Sequence, residues 1–168
     1  MLLRAAKLDD VIEMAALFLK CWKVSYIDVL SEETRNKMDT EASQELWRNA
    51  LSNDLDRRTI LALENGVLVG FFRVGPDKND VTRGHLFSLY VSPDFAGQGF
   101  GKKLLSAAVD LIAKSSFNQM SLWVFDENIV AKSLYAKFGF EPTGESRTTP
   151  NWEALEIEML NKKITQQF

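Results

Sequence analysis

Two hydrophobic periods divide the chain. Leu2 to Ala6 reads as a short strand, after which Asp9 is expected to cap a helix whose apolar residues Ile12, Ala15, Ala16 and Leu19 recur at helical spacing and predict a buried face. Tyr26 to Leu30 leaves that helix for a loop. Ser31 and Thr40 then look like caps of two further short helices, the second containing Trp47, so the first third is mostly helical. From Thr59 the period shortens to two. Thr59 to Leu63 and Val67 to Val74 flank Asn65-Gly66, a pair that tolerates the positive φ of a tight turn, and together predict a hairpin. Gly75-Pro76-Asp77 turns the chain again. Gly84 to Val91 is the next strand, followed by a loop with three glycines and a helix from about Gly101 to Lys114. Met120 to Phe125 is a strand, Asn128 to Phe138 a helix, Phe140 to Thr143 a strand start, and Leu155 to Leu160 a last alternating strand. This is an antiparallel sheet opening into βαβ units, a mixed α/β class.

Composition narrows the function classes. The 168 residues carry 46% hydrophobic and 26% charged side chains, those of an ordinary globular core. No repeat, linker or low-complexity tract interrupts them, so residues 1–168 read as one domain. One Cys and one His cannot assemble a structural zinc site, and no metal is expected. The lone thiol, Cys21, fits a reducing compartment. The opening MLLRAAKLDD has no signal-peptide core, and no apolar run is long enough to span a bilayer, so a cytoplasmic protein without a membrane partner is expected. A net charge of −3 without a basic stripe argues against nucleic acid.

The most informative stretch is Leu89-Tyr90-Val91-Ser92-Pro93-Asp94-Phe95-Ala96-Gly97-Gln98-Gly99-Phe100-Gly101-Lys102-Lys103. Alternate glycines let backbone approach a ligand, and the helix start behind them offers unpaired N–H groups to a phosphate or pyrophosphate. A P-loop would need Gly at Ala96 and Ser or Thr at Lys103, and a dinucleotide fingerprint a small residue at Lys102, so both fail. The alternative is a turn whose glycines merely relieve crowding at a strand-to-helix corner. A second constellation runs from Leu122 to Phe140. Asn128 stands at a helix start, where it would cap, and Gly139 supplies the left-handed stop. Ala131, Leu134, Tyr135 and Phe138 share one helical stripe, so periodicity alone makes Tyr135 a core residue.

Together the two constellations resemble the GNAT superfamily of acyl-CoA-dependent N-acetyltransferases, over about Arg58 to Phe140. The family's loop is usually written Gln/Arg-x-x-Gly-x-Gly/Ala. Here Ala96 replaces its opening Gln or Arg, which removes one side-chain contact to the cofactor, while Gln98-Gly99-Phe100-Gly101 holds the second half. The resemblance implies a mostly antiparallel central sheet with helices on both faces in the order β-α-α-β-β-β-α-β-α-β-β. It implies acetyl-CoA as co-substrate and transfer of its acetyl group to a primary amine by direct attack in a ternary complex. Main-chain groups of Leu89, Tyr90 and Val91 would pair with the pantetheine arm, admitted by a splay between this strand and the next. Amides of Gly97, Gln98, Gly99, Phe100, Gly101 and Lys102 would hold the pyrophosphate. Asn128 would touch the cofactor arm, and Tyr135 would give its proton to the sulfur as general acid, with a backbone N–H near Val91 at the oxyanion.

The base is sought early in the strand before the loop, where His85 stands. An unperturbed His titrates near pH ~6.5, and simple alternation places His85 on the ligand side with Leu89 and Val91. The other reading is a strand-start His with no role. Ser88 and Tyr90 then face the opposite way and look structural. The family's first helices wall the amine site, so Trp22 and Tyr26 are candidates to line it, with Trp47 more at home in the core. Asp28, Glu32 and Glu33 are acidic residues able to attract a cationic amine, though charges near helix starts are usually solvated. Arg147 and Trp152, in the loop before the last strand, border the same site. The acceptor is a small-molecule amine, an amino acid, an aminoglycoside-like compound or a protein N-terminus, and family members often pair as homodimers. A catalytically silent CoA-binding sensor is the competing class, allowed by Ala96, and a nucleotide-phosphate binder is a third.

Overall fold

In a computed structural model, which describes residues 1–53, 56–149 and 152–164, the elements run β1 (Leu2–Ala5), α1 (Val11–Val24), α2 (Glu32–Asn36), α3 (Thr40–Asn53), β2 (Arg58–Glu64), β3 (Val67–Pro76), β4 (Gly84–Val91), α4 (Phe100–Lys114), β5 (Met120–Phe125), α5 (Ile129–Lys137), β6 (Glu141–Thr148) and β7 (Leu155–Asn161). The strands form one sheet in the order β1-β2-β3-β4-β5-β7-β6. Among the described residues β4 and β5 are the parallel pair and every other neighbouring pair is antiparallel. The mixed, mostly antiparallel class is therefore as expected.

The β2–β3 hairpin turns at Asn65 and Gly66, with φ of 51° and 82°, the left-handed pair that a twisted two-residue connection demands. Two apolar layers cover the sheet. On one face Leu104, Leu105, Ala108 and Ile112 of α4 meet Phe72, Val74 and Leu122, with Leu134 of α5 and Phe138 just after it packed alongside. On the other, Met14, Phe18 and Trp22 of α1 and Trp47 of α3 meet Leu61 and Phe71.

Three helices separate β1 from β2, as the caps at Ser31 and Thr40 predict and against the two in the order the resemblance implied; Ser31 caps the single-turn α2 by accepting the Thr34 N–H at 3.1 Å. The buried stripe of α1 is Val11, Met14, Ala15, Phe18 and Trp22, while Ile12 is 68% exposed and Ala16 lies at the surface. The helix is apolar on more than one face, and the expected stripe was the neighbouring one. Caps move by one residue too. Asp10, not Asp9, holds the N-cap position of α1, though its carboxylate accepts from the Lys7 N–H ahead of the helix at 2.7 Å and not from the helix itself, and Asp39 rather than Thr40 accepts from Ala42 at 2.8 Å. Gly75 and Pro76 remain in β3, opposite His85 and Gly84, so the chain turns after them.

Candidate active site

The site is built around an irregularity in β4. Its ladder pairs Arg73 with Ser88 but Val74 with Leu86, so Phe87 is an extra residue and the strand is bulged. One inserted residue reverses side-chain parity on its far side. Leu86, Leu89 and Val91 all pack toward α4, and Tyr90 packs toward α1. His85 therefore shares a face with Ser88 and Tyr90, and the alternation that put it with Leu89 and Val91 is corrected by the bulge. Ser88 and Tyr90, expected to be structural, line the main cavity.

Beyond the bulge β4 and β5 part. They pair only through Gly84↔Met120, His85↔Ser121 and Leu86↔Leu122, although both strands continue. A cavity of about 570 Å³ fills the gap. Trp22, Tyr26 and Trp47 wall it on one face of the sheet, and Asn128, Ala131 and Tyr135 of the α5 region on the other, so it passes through the sheet. Ser92 N–H reaches Val69 O at 2.9 Å across the β3 ladder. Strand alternation then turns the main-chain groups of Leu89 and Val91 to the edge that β5 has left. Tyr90, grouped with them in the sequence, instead faces β3 with its main chain: a Cβ on Gly70 would lie 2.5 Å from Tyr90 O.

The glycine loop has the backbone shape of an anion cradle. Gly97 and Gly99 adopt φ of 75° and 81°, and a Cβ at either would meet nothing within 4 Å. Relief of crowding is thereby removed as the reason for these glycines. The first α4 bond runs from Lys103 N–H to Gly99 O at 3.2 Å, which leaves the amides of Phe100, Gly101 and Lys102 ahead of the helical ladder. The Phe100 ring is buried against Phe95 and pins the helix start to the core. The α1 helix is tied at two points to the segment that leads into this loop. Lys20 pairs with Asp94, and the Cys21 thiol donates to Val91 O at 3.2 Å. Burial pushes that thiol up to about 12, which makes it a packing group and not a nucleophile.

Tyr135 is 8% exposed, and burial alone pushes its phenol up to about 12. Asn128 caps α5, its Oδ1 accepting the Ala131 N–H at 3.1 Å, so its Nδ2 is the group left to face the cavity. Of the sequence candidates, Trp22, Tyr26, Leu89, Tyr90, Asn128 and Tyr135 come together on this one cavity. Trp47 lines it while packing edge-on to Phe18 and Phe71, its expected core role. Asp28, Glu32 and Glu33 are not among the lining residues. Arg147 belongs to β6 and not to a loop, and it borders the cavity with Trp152.

His85 lies elsewhere, on an adjoining cavity of about 300 Å³. Ser121 Oγ donates its one proton to Asp77 Oδ2 at 2.5 Å, so the 2.7 Å contact between Ser121 Oγ and His85 Nδ1 requires the imidazole to donate. Asp77 also accepts from Arg83 Nε at 2.7 Å, and Arg83 continues to Glu158 at 2.5 Å. Burial depresses His85 to about 4; the Asp77 carboxylate 3.5 Å away opposes this, and the positive charges of Arg147, Arg83 and Arg57 add to the effect of burial. Asp77 is itself held below the usual carboxylate range: burial pushes it up, but hydrogen bonds from Ser121, the Asn79 amide and Arg83 more than offset that. This network staples β4 to β5 just before they separate. Asp77, Ser121 and the bulge at Phe87 carry no local sequence signal.

Residues 13–140 match the acetyltransferase (GNAT) family. The chain belongs to that family. It is accordingly an acyltransferase enzyme. The GNAT chain is 24% identical over 127 residues to the uncharacterized N-acetyltransferase YuaI of Bacillus subtilis, covering 74% of this chain and 72% of that one. It is 27% identical over 143 residues to the spermidine N(1)-acetyltransferase of Thermoplasma acidophilum, covering 83% and 87%. The crystal structure of the PaiA N-acetyltransferase of Thermoplasma acidophilum in complex with coenzyme A superposes with a TM-score of 0.69, at 24% identity, over 94% of this GNAT chain and 96% of that one. Among the described residues no helix is long and apolar enough to cross a membrane, and no three His, Cys, Asp or Glu side chains gather to hold a metal ion.

Proposed function

We propose that the chain moves the acetyl group of acetyl-CoA to a primary amine by direct attack in a ternary complex. The observation that carries this reading is the cavity through the sheet, with Tyr135 on one side and the Trp22–Tyr26 wall on the other. Two substrates entering from opposite faces meet where the strands part. The residues fit an acyl-CoA: a strand edge at Leu89 and Val91 that β5 has left, for an extended arm, and free amides at Gly97 and from Gly99 to Lys102 for a pyrophosphate, the Gln98 N–H being already donated to Phe95 O at 3.4 Å.

Bound acetyl-CoA supplies an acyl carbon joined to sulfur, and the nitrogen–carbon bond forms as the carbon–sulfur bond breaks. Tyr135 gives its proton to the departing sulfur, a role suited to a phenol that stays protonated up to about pH 12. The Val91 N–H, turned to the open edge, stabilises charge developing on the acyl oxygen. Asn128 Nδ2 orients the cofactor arm. The amine loses its proton to water in the cavity mouth, because His85, buried and with Nδ1 already donating, serves the β4–β5 staple. A reducing, cytoplasmic setting suits the free thiol of Cys21.

Thiol release from acetyl-CoA over a panel of amines tests the reading, with intersecting initial-rate lines expected for a ternary complex. Parallel lines would indicate a covalent acetyl-enzyme. CoA binding without turnover of any amine would favour the silent sensor.

A further inference from the structure

The charges around the acceptor cavity select among amines. Among the described residues Arg57, Arg73 and Arg147 line it, against one carboxylate, Glu156. The adjoining cavity shares Arg57, Arg147 and Glu156 and adds Lys78 and Asp77. Both carboxylates are already engaged, Glu156 Oε2 by Arg147 Nε at 2.7 Å and Asp77 by Arg83 and Ser121. Among the described residues a polycationic acceptor would find no carboxylate here that is not already answering a cation. The faces of Trp123 and Phe87 are covered as well, by the guanidinium groups of Arg147 at 4.2 Å and Arg57 at 3.8 Å. Those rings therefore do not form a cage for an ammonium. The positive field from Arg147 and Arg57 reaches as far as His85, which it helps to hold neutral. Opposite the arginines the wall is aromatic, with Trp22 and Trp152 centroids 4.5 Å apart and Tyr26 edge-on to Phe125 at 5.4 Å.

Arg147 is the side chain best placed to recognise an anion. Stacking uses only the face of its guanidinium, and the bond to Glu156 uses only Nε, so its terminal nitrogens remain as a planar fork for a carboxylate. Its place on β6 leaves it 45% exposed toward the opening.

We propose that the acceptor is a small amine that also bears a carboxylate, an α-amino acid with an aromatic or apolar side chain, and that Arg147 is the specificity-determining residue that binds the carboxylate. This rests on the acetyltransferase reading above. Glu156 has an opposite effect in this scheme: it competes with the substrate for Arg147.

The experiment compares L-phenylalanine, L-phenylalaninamide and spermidine as acceptors in the thiol-release assay, with rates corrected for the neutral fraction of each amine. Phenylalanine is expected to exceed its amide by about 10- to 100-fold in kcat/KM, the range for a hydrogen-bonded charge pair. Arg147→Gln should bring that ratio close to one, and Glu156→Gln should raise it. Preference for spermidine or the amide, or a fall in the phenylalanine rate in Glu156→Gln, overturns the proposal while leaving acetyl transfer intact. Should CoA bind but no amine release thiol, the acetyltransferase reading itself fails. Calorimetry of N-acetyl-L-phenylalanine against its amide, on the wild type and Arg147→Gln, then decides the carboxylate site: equal binding of the two overturns it, and preference for the acid that vanishes in the variant supports it.

Discussion

Replacing Tyr135 by phenylalanine removes one hydroxyl and almost no volume from a residue that is 8% exposed. Only burial perturbs that phenol, with no hydrogen bond or neighbouring charge contributing, so stability is expected to change by less than about 1 kcal/mol. Catalysis is a different matter. Loss of a general acid costs roughly 10²- to 10⁴-fold in turnover, or about 3–5 kcal/mol of barrier. Acetyl-CoA affinity should be unchanged, because in the proposed binding mode backbone groups hold the arm and the pyrophosphate. The pH dependence has a definite sign. With the phenol pushed up to about 12, the rate should rise through the pKa of the acceptor amine and show no alkaline decline from Tyr135 below that value. Stopped-time thiol release across pH, beside calorimetric titration of CoA, reads all three quantities. Turnover of the variant within twofold of wild type would return Tyr135 to the hydrophobic core and remove it from the chemistry.

Three further outcomes follow from the geometry. His85 titrates near 4 in the fold against 6.5 unfolded, so the unfolded chain takes up its proton first as the pH drops. That stability is present above pH ~6.5 and is lost on descent, by up to ~3 kcal/mol, with Asp77 acting in the same direction at lower pH; His85→Gln should flatten denaturant midpoints between pH ~4 and ~6.5, and an unchanged slope contradicts the assignment. Gly99→Ala places a side chain at φ 81° and should cost about 1–2 kcal/mol while raising KM for acetyl-CoA more than it lowers kcat; a fall in kcat alone would argue against a phosphate-holding loop. Gly70→Ala brings a Cβ to 2.5 Å from Tyr90 O and 2.8 Å from Leu104 Cδ1, and about 1–3 kcal/mol of lost stability is expected by thermal melt, an unaltered midpoint meaning that β3 and α4 are looser than described.

The parts of this fold that depend on local chemistry were legible in the residues. Asn65-Gly66 announced its hairpin, Asn128 and Gly139 bounded α5, and the loop at Gly97 to Gly101 could be located by its glycines, because each acts within a few positions of itself. What depends on pairing across the sheet was not legible. Phe87 is an ordinary apolar residue in an apolar strand, and only the β3 partners reveal that it is extra. That one extra residue is why simple alternation set His85 on the face of Leu89 and Val91, whereas it lies with Ser88 and Tyr90. The α1 stripe failed for a related reason: Ile12, Ala16 and Leu19 are as apolar as their buried neighbours, and the choice between adjacent stripes is made by α3 and the sheet. Asp77 and Ser121 lie 44 positions apart and meet only because β4 and β5 lie side by side.

The edge strand β6 has a consequence for how such an enzyme diversifies. Every residue from Glu141 to Thr148 is exposed, yet this strand lends Arg147 to the lining of the cavity. Exchanges at surface positions of this kind usually alter stability by no more than ~0.5 kcal/mol, whereas the thioester side rests on buried side chains and on main-chain shape. Selectivity for the incoming nucleophile can therefore be rewritten over generations on the periphery, leaving the donor half of the machinery untouched.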